Sequence, residues 1–163
     1  MPSRFTIFRS DAAVIACHAS PRVLDAMPGV SGTYAARIAA DESMLLGSGA
    51  SRGAILRSAR EYISAIEPDA LVLDQSDAWW VTTIPDAGRQ LLNRLSVVRP
   101  PDERPAFYQG IVAGLPAKVL IDARAAHVLV PSPVGHHLES RIRDVWSADD
   151  TLDIGLAPLT FND

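Results

Sequence analysis

The sequence predicts an α+β fold assembled from strand–strand–helix units, with antiparallel strands and helices that each offer one apolar face. Two observations carry the prediction. The first is the stretch Ala117 to Trp146. Its apolar runs Val119–Ile121 and His127–Val130 flank the polar link Asp122-Ala123-Arg124, the pattern of a β-hairpin with at least one buried face. Pro131-Ser132-Pro133 cannot continue a central strand. Ser132 suits an N-cap, and Pro133 suits the first helical position, where a missing N–H costs nothing. In the helix that follows, Val134, Leu138, Ile142 and Val145 or Trp146 recur on one face, which leaves Glu139, Ser140, Arg143 and Asp144 toward water.

The second observation is that the unit occurs twice. Residues 70–95 overlay residues 117–142 without a gap, and Ala70/Ala117, Val72/Val119, Leu73/Leu120, Ala78/Ala125, Val81/Val128, Gly88/Gly135, Leu91/Leu138 and Arg94/Arg141 are identical pairs. Units with one-sided apolar faces bury them against each other or against further elements, so the expectation is a single domain over 1–163 containing a pseudo-repeat. At 163 residues such a domain is large enough to bury most of its apolar side chains without staples.

Composition narrows the function classes. The chain is 48% apolar and 21% charged with a net charge of −4, so it shows no electrostatic footprint for nucleic acid or for an anionic membrane. No apolar run reaches the ~20 residues of a membrane span. The N-terminal stretch is interrupted by Arg4, Arg9 and Asp11, which makes it a poor secretion signal. Cys17 is the only cysteine, which excludes an internal disulfide and favours the cytoplasm. Lys118 is the only lysine.

Along the chain, Phe5–Phe8 and Ala12–Cys17 read as short strands separated by Arg9-Ser10-Asp11, compatible with a hairpin. Cys17 and His18 are adjacent on a strand and point to opposite faces, so they form no nucleophile–base dyad; a buried thiol beside an exposed imidazole is expected. Ser20 to Gly32 holds Pro21, Pro28, Gly29 and Gly32 and reads as a connector around a short helix. Tyr34 to Leu46 is ambiguous: its alanines favour helix, while Met44-Leu45-Leu46 before Gly47 equally suits the end of a strand.

Gly47 to Gly53 has G-x-G-x-x-x-G spacing, a helix predicted over Ala54–Ile66 follows it, and Asp74 lies beyond. In a dinucleotide site these would hold a pyrophosphate and a ribose. Against that reading, only Met44–Leu46 precedes the glycines and a hairpin rather than a crossover helix follows Asp74. The predicted helix carries Ile55, Ala59, Tyr62, Ile63 and Ile66 on one face. Asp74-Gln75-Ser76-Asp77 reads as the turn of a hairpin, with no nearby His or Glu to complete a metal shell. Trp79 and Trp80 must face opposite sides of their strand, so one is core and the other needs cover. Pro85 opens a helix over Asp86–Leu95, and 97–105 is a proline-rich surface loop. His136 and His137 are adjacent, not three or four apart, and so form no helical metal pair. The tail Ser147–Asp163 reads as an added edge strand or as a segment that docks on a partner.

The run LVLDQSDAWWV (71–81), followed by Pro85 and Leu91-Leu92, resembles the strand-turn-strand-helix of the folate-binding superfamily that contains glycine-cleavage aminomethyltransferase. The run VAGLPAKVLI (112–121), followed by AHVLVPS (126–132) and Leu138, is similar to the C-terminal part of the gamma subunit of heterotetrameric sarcosine oxidase. The likeness covers roughly 68–147. The link 97–110 is short for the additional helical segment that this family carries there, and 1–50 does not align. The resemblance implies ferredoxin-like halves and a non-catalytic accessory role beside a larger flavoprotein subunit, or a homo-oligomer. A partner surface would then involve Trp79, Leu159 and Phe161. It leaves open a small folate-binding one-carbon transfer enzyme with tetrahydrofolate as ligand, in which Asp77, Trp80 and Tyr108 would line the pterin pocket. A nucleotide-binding module built on Gly47–Gly53 is the third reading. No catalytic or metal-binding set is assigned.

Overall fold

The structure, a computed structural model, describes residues 4–146 and 151–161. Strand β1 (Arg4–His18) runs without the break expected at Arg9-Ser10-Asp11. These polar residues do not turn the chain because each finds a partner elsewhere in the fold. Arg9 pairs with Glu139, Ser10 Oγ lies 2.7 Å from Thr83 Oγ1, and the Asp11 carbonyl accepts from Leu159 N–H. The chain divides into two compact units at this strand, one comprising residues up to Ser10 with Ala78–Ala157, the other Asp11–Asp77 with the segment from Pro158.

The unit from Asp11 continues through α1 (Pro21–Ala26), β2 (Thr33–Ala39), β3 (Glu42–Ser48), α2 (Arg52–Ile66) and β4 (Leu71–Asp74). Its strands lie in the order β2-β3-β1-β4, and every pairing is antiparallel, with Val14 opposite Leu46 and Cys17 opposite Val72. This β-α-β-β-α-β path is the ferredoxin-like arrangement. The ambiguous stretch is a hairpin: Met44, Leu45 and Leu46 are buried in succession, and burial on both faces of β3 outweighs the helical preference of the alanines before it. Ile55, Ala59 and Ile63 of α2 pack with Ile15, Cys17, Leu45 and Val72, whereas Ile66, expected on that face, is exposed.

The other unit contains the first part of β1, then β5 (Trp79–Pro85), α3 (Arg89–Leu95), β6 (Ala106–Val112), β7 (Leu115–Ile121), β8 (Ala125–Pro131), α4 (Gly135–Val145) and β9 (Thr151–Pro158). Its strand order is β1-β5-β8-β7-β6, with β9 also paired to β1, so the tail supplies the expected added strand. Ile84, Leu91, Leu92, Val119, Val128, Leu138 and Ile142 form the core between α3, α4 and one sheet face. The fold class is α+β with antiparallel, ferredoxin-like halves.

The hairpin predicted over 117–131 forms as β7–β8, with Ile121 opposite Ala126. The one predicted over 70–84 does not. β4 pairs with β1, and Val14 N–H donates to Ser76 Oγ while Gln75 N–H donates to the Val14 carbonyl, so the predicted turn carries the chain onward instead of back. A hairpin the sequence did not show joins β6 to β7 through Ala113 and Gly114, at φ +53° and +78°, a two-residue turn with both central residues left-handed. After β5 and after β8 the chain makes one 3₁₀ turn and then a helix, and at each entry a glycine touches a ring. A Cβ at Gly88 would collide with Phe5, and one at Gly135 with Trp80. Glu139, expected toward water, is buried at 5% exposure because Arg9 and Trp80 reach it from the sheet.

Candidate functional site

Among the described residues, four constellations bear on what the chain could do chemically. In the unit containing α4, Arg9 donates to both carboxylate oxygens of Glu139, at 3.0 and 2.9 Å, and its guanidinium lies 4.1 Å from the centre of the Trp80 ring. Trp80 Nε1 donates to the same carboxylate at 3.2 Å, and His136 meets the ring edge-on at 4.8 Å. The cluster clamps α4 to β1 and β5. Each member is occupied by another, which is the arrangement of a structural tie.

The second constellation is a chain of four hydrogen-bonding groups. Asp122 Oδ2 is 2.9 Å from His127 Nε2, His127 Nδ1 is 2.9 Å from Thr83 Oγ1, and Thr83 Oγ1 is 2.7 Å from Ser10 Oγ. Asp122 Oδ1 accepts from the N–H groups of Arg124 and Ala125, fixing the carboxylate at the β7–β8 turn. Burial pushes the Asp122 carboxyl up, but the hydrogen bonds from His127 and these two amides outweigh it and hold the pKa down at about 2. A carboxylate orienting an imidazole against a hydroxyl has the order of an acyl-transfer triad. His127, however, is only 3% exposed, so the geometry secures a buried histidine between strands. Sequence reading missed this network because its members are spread over 10, 83, 122 and 127; the one local signal was an Asp five positions before a His across a hairpin turn.

The third lies in the other unit, at the Gly47–Gly53 loop. Arg52, the first residue of α2, donates to Asp74 and, through Nη1 and Nη2 at 3.1 and 2.9 Å, to Asp77. Hydrogen bonds from Arg52 lower the Asp77 pKa. A Cβ at Gly49 would strike the Asp11 carboxylate. Acidic side chains of the chain itself therefore surround the loop, and β3 before it is antiparallel to both neighbours, so the βαβ frame of a dinucleotide site is missing here.

The fourth is a hollow of about 200 Å³ on the sheet face opposite α3 and α4, walled by Trp79, Pro116 and Pro131 and bordered by Gln109 and Lys118. Lys118 Nζ donates to Gln109 Oε1 at 2.6 Å and lies 5.5 Å from the Trp79 ring centre. A separate cavity beside Asp86, Arg89 and Arg104 measures about 10 Å³, the size of a single water.

The expected ligand residues fall in separate places. Asp77 is tied to Arg52, Trp80 is closed over by α4, and Tyr108, whose hydroxyl is 3.2 Å from Ser96 Oγ, packs against the core; none of the three lines either hollow. Of the expected partner residues, Trp79 lines the open hollow and Phe161 is half-buried with its ring 6.1 Å from Tyr34. Leu159 differs from expectation: it is 2% exposed, held where its N–H reaches the Asp11 carbonyl. Cys17 is buried, and burial raises its thiol pKa to about 11. Among the described residues no three His, Cys, Asp or Glu gather as a metal shell, and no helix is long and apolar enough to cross a membrane.

No protein-family model matches the chain, and no curated protein does. Solved structures share its fold. A chain of heterotetrameric sarcosine oxidase from Corynebacterium sp. U-96, solved with pyrrole 2-carboxylate, superposes with a TM-score of 0.69 at 14% identity, over 83% of this chain and 80% of that one. The glycine cleavage system aminomethyltransferase T from Bartonella henselae superposes with a TM-score of 0.65 at 10% identity, over 97% of this chain; the chain spans about half the length of that enzyme, 49%. The fold is therefore aminomethyltransferase-like.

Proposed function

We propose that the chain is an accessory, non-catalytic subunit-like protein of a flavin- and folate-dependent, sarcosine-type amine oxidase system, working in the cytoplasm beside a larger flavoprotein subunit. The observation that carries the reading is the likeness of fold: the chain superposes with a TM-score of 0.69 on one chain of a heterotetrameric sarcosine oxidase. Two features support it. The charged side chains that cluster are spent on each other, as at Arg9–Glu139 and Arg52–Asp77. Exposed apolar side chains stand where a partner would cover them, with Val97 at 75%, Val98 at 66% and Ile111 at 40% exposure around the end of β6.

The second reading, a small folate-binding one-carbon enzyme, draws on the aminomethyltransferase likeness. It requires the Trp80 and Tyr108 rings to leave the positions where they pack against the core.

The test is isolation of the tagged chain from its own cells, followed by mass determination, a flavin spectrum and a sarcosine oxidation assay. An assembly holding a flavoprotein and oxidising sarcosine is expected; a stable monomer without flavin overturns the proposal. Titration of the isolated chain with tetrahydrofolate, read by tryptophan quenching, separates the second reading: saturable quenching lost in Trp80→Ala would favour it.

A further inference from the structure

We propose that the hollow beside Trp79 is a binding site for a small aromatic carboxylate. The hollow arises from the sheet itself. The β7–β8 ladder begins at Lys118 opposite Leu129, so ahead of it the two strands part, and each carries a proline at the gap: Pro116, and Pro131 opposite Trp79. Proline has no N–H, so the walls of the gap are apolar and demand no water in those places. The half-buried indole of Trp79 adds a flat face, and a flat apolar ligand stacks on such a surface.

The charge follows from Lys118. It stands at the rim of the hollow, and among the described residues the lining holds no carboxylate to neutralise it. A lysine that only covered a tryptophan would carry its ammonium out into water on a flexible stem. Here the ammonium is bonded to Gln109 Oε1 and lies over the Trp79 ring at the wall of the hollow. An ammonium has three N–H donors and no acceptor; Gln109 takes one, and a ligand carboxylate takes another through a charge-assisted bond. In a molecule of net charge −4, Lys118 makes the hollow a locally cationic, aromatic spot. The site is independent of the accessory-subunit reading, since it needs only the isolated chain.

The experiment is an NMR titration of the isolated chain with phenylacetate, following the three tryptophan indole N–H signals and assigning that of Trp79 with Trp79→Phe. The Trp79 signal is expected to move and saturate while those of Trp80 and Trp146 stay. Lys118→Met, which keeps the aliphatic stem, and the neutral ligand phenylacetamide should each weaken binding at least tenfold. No saturable shift, equal binding of the amide, or unchanged affinity in a folded Lys118→Met overturns the proposal. A third arm uses the dipeptide acetyl-Ala-Phe with a free C-terminus. Binding tenfold tighter than phenylacetate would assign the carboxylate to a protein terminus and overturn the small-molecule identity of the ligand.

Discussion

Gly135→Ala puts the packing of α4 on trial because two principles give opposite signs. Alanine is preferred to glycine in a helix by up to about 1 kcal/mol, less at a first turn such as this one, so propensity alone forecasts a small gain. The structure forecasts a loss. The added Cβ would fall on Trp80 Cδ2 and Cγ and lie 2.6 Å from Cε3, where carbon atoms need roughly 3.5 Å or more. The ring cannot slide away freely, being held by Glu139 at Nε1, by His136 at its edge and by Arg9 over its face. Overpacking of this kind costs about 1–3 kcal/mol, and a broken Trp80–Glu139 bond adds about 1 kcal/mol. Net of propensity, the variant should be about 2–3 kcal/mol less stable. Urea unfolding is the assay, with the loss seen as a lower midpoint at unchanged slope. Placing Gly135→Ala on a Trp80→Leu background should recover most of it. A variant as stable as the parent, or equal losses in both backgrounds, would refute the contact as the reason for this glycine.

Three further outcomes are expected. Glu139→Ala should destabilise by about 2–3 kcal/mol, since it strips Arg9 and Trp80 of their shared acceptor, with a discount because Arg9 is 39% exposed; a double-mutant cycle with Arg9→Met should show coupling of about 1 kcal/mol or more. Because the Asp122 carboxyl titrates lower in the folded protein than in the unfolded chain, its contribution is complete above the unfolded pKa near 4 and is lost as pH falls toward about 2. The stability gap between the parent and Asp122→Asn should therefore narrow over that window in acid denaturation curves, and a gap that widened would contradict the network. Cys17, with its pKa raised to about 11 by burial, should resist a thiol-labelling disulfide reagent at about pH 8 until the protein is unfolded, so rapid stoichiometric labelling of the native chain would show the core around β1 to be open.

Local chemistry determined much of this protein. The β7–β8 hairpin follows from two apolar runs around an Asp that hydrogen-bonds its own turn, α2 and α4 follow from their periodicity, and the opposed faces of Trp79 and Trp80 follow from strand geometry. The antiparallel α+β class is the sum of those parts. What the tertiary structure alone decided is who pairs with whom. Asp74–Asp77 had the residues of a hairpin turn, yet β4 joined β1, where Val72 could be buried opposite Cys17. Arg9-Ser10-Asp11 had the polarity of a break, yet β1 ran on because Glu139 and Thr83 stood ready as partners. Glu139 was drawn inward by an arginine 130 positions away, and the Asp122–His127 pair was completed by hydroxyls from β5 and β1. Periodicity records which face of an element is apolar. It holds no record of the distant polar group that will satisfy a buried one, and that choice is made only when the sheets close.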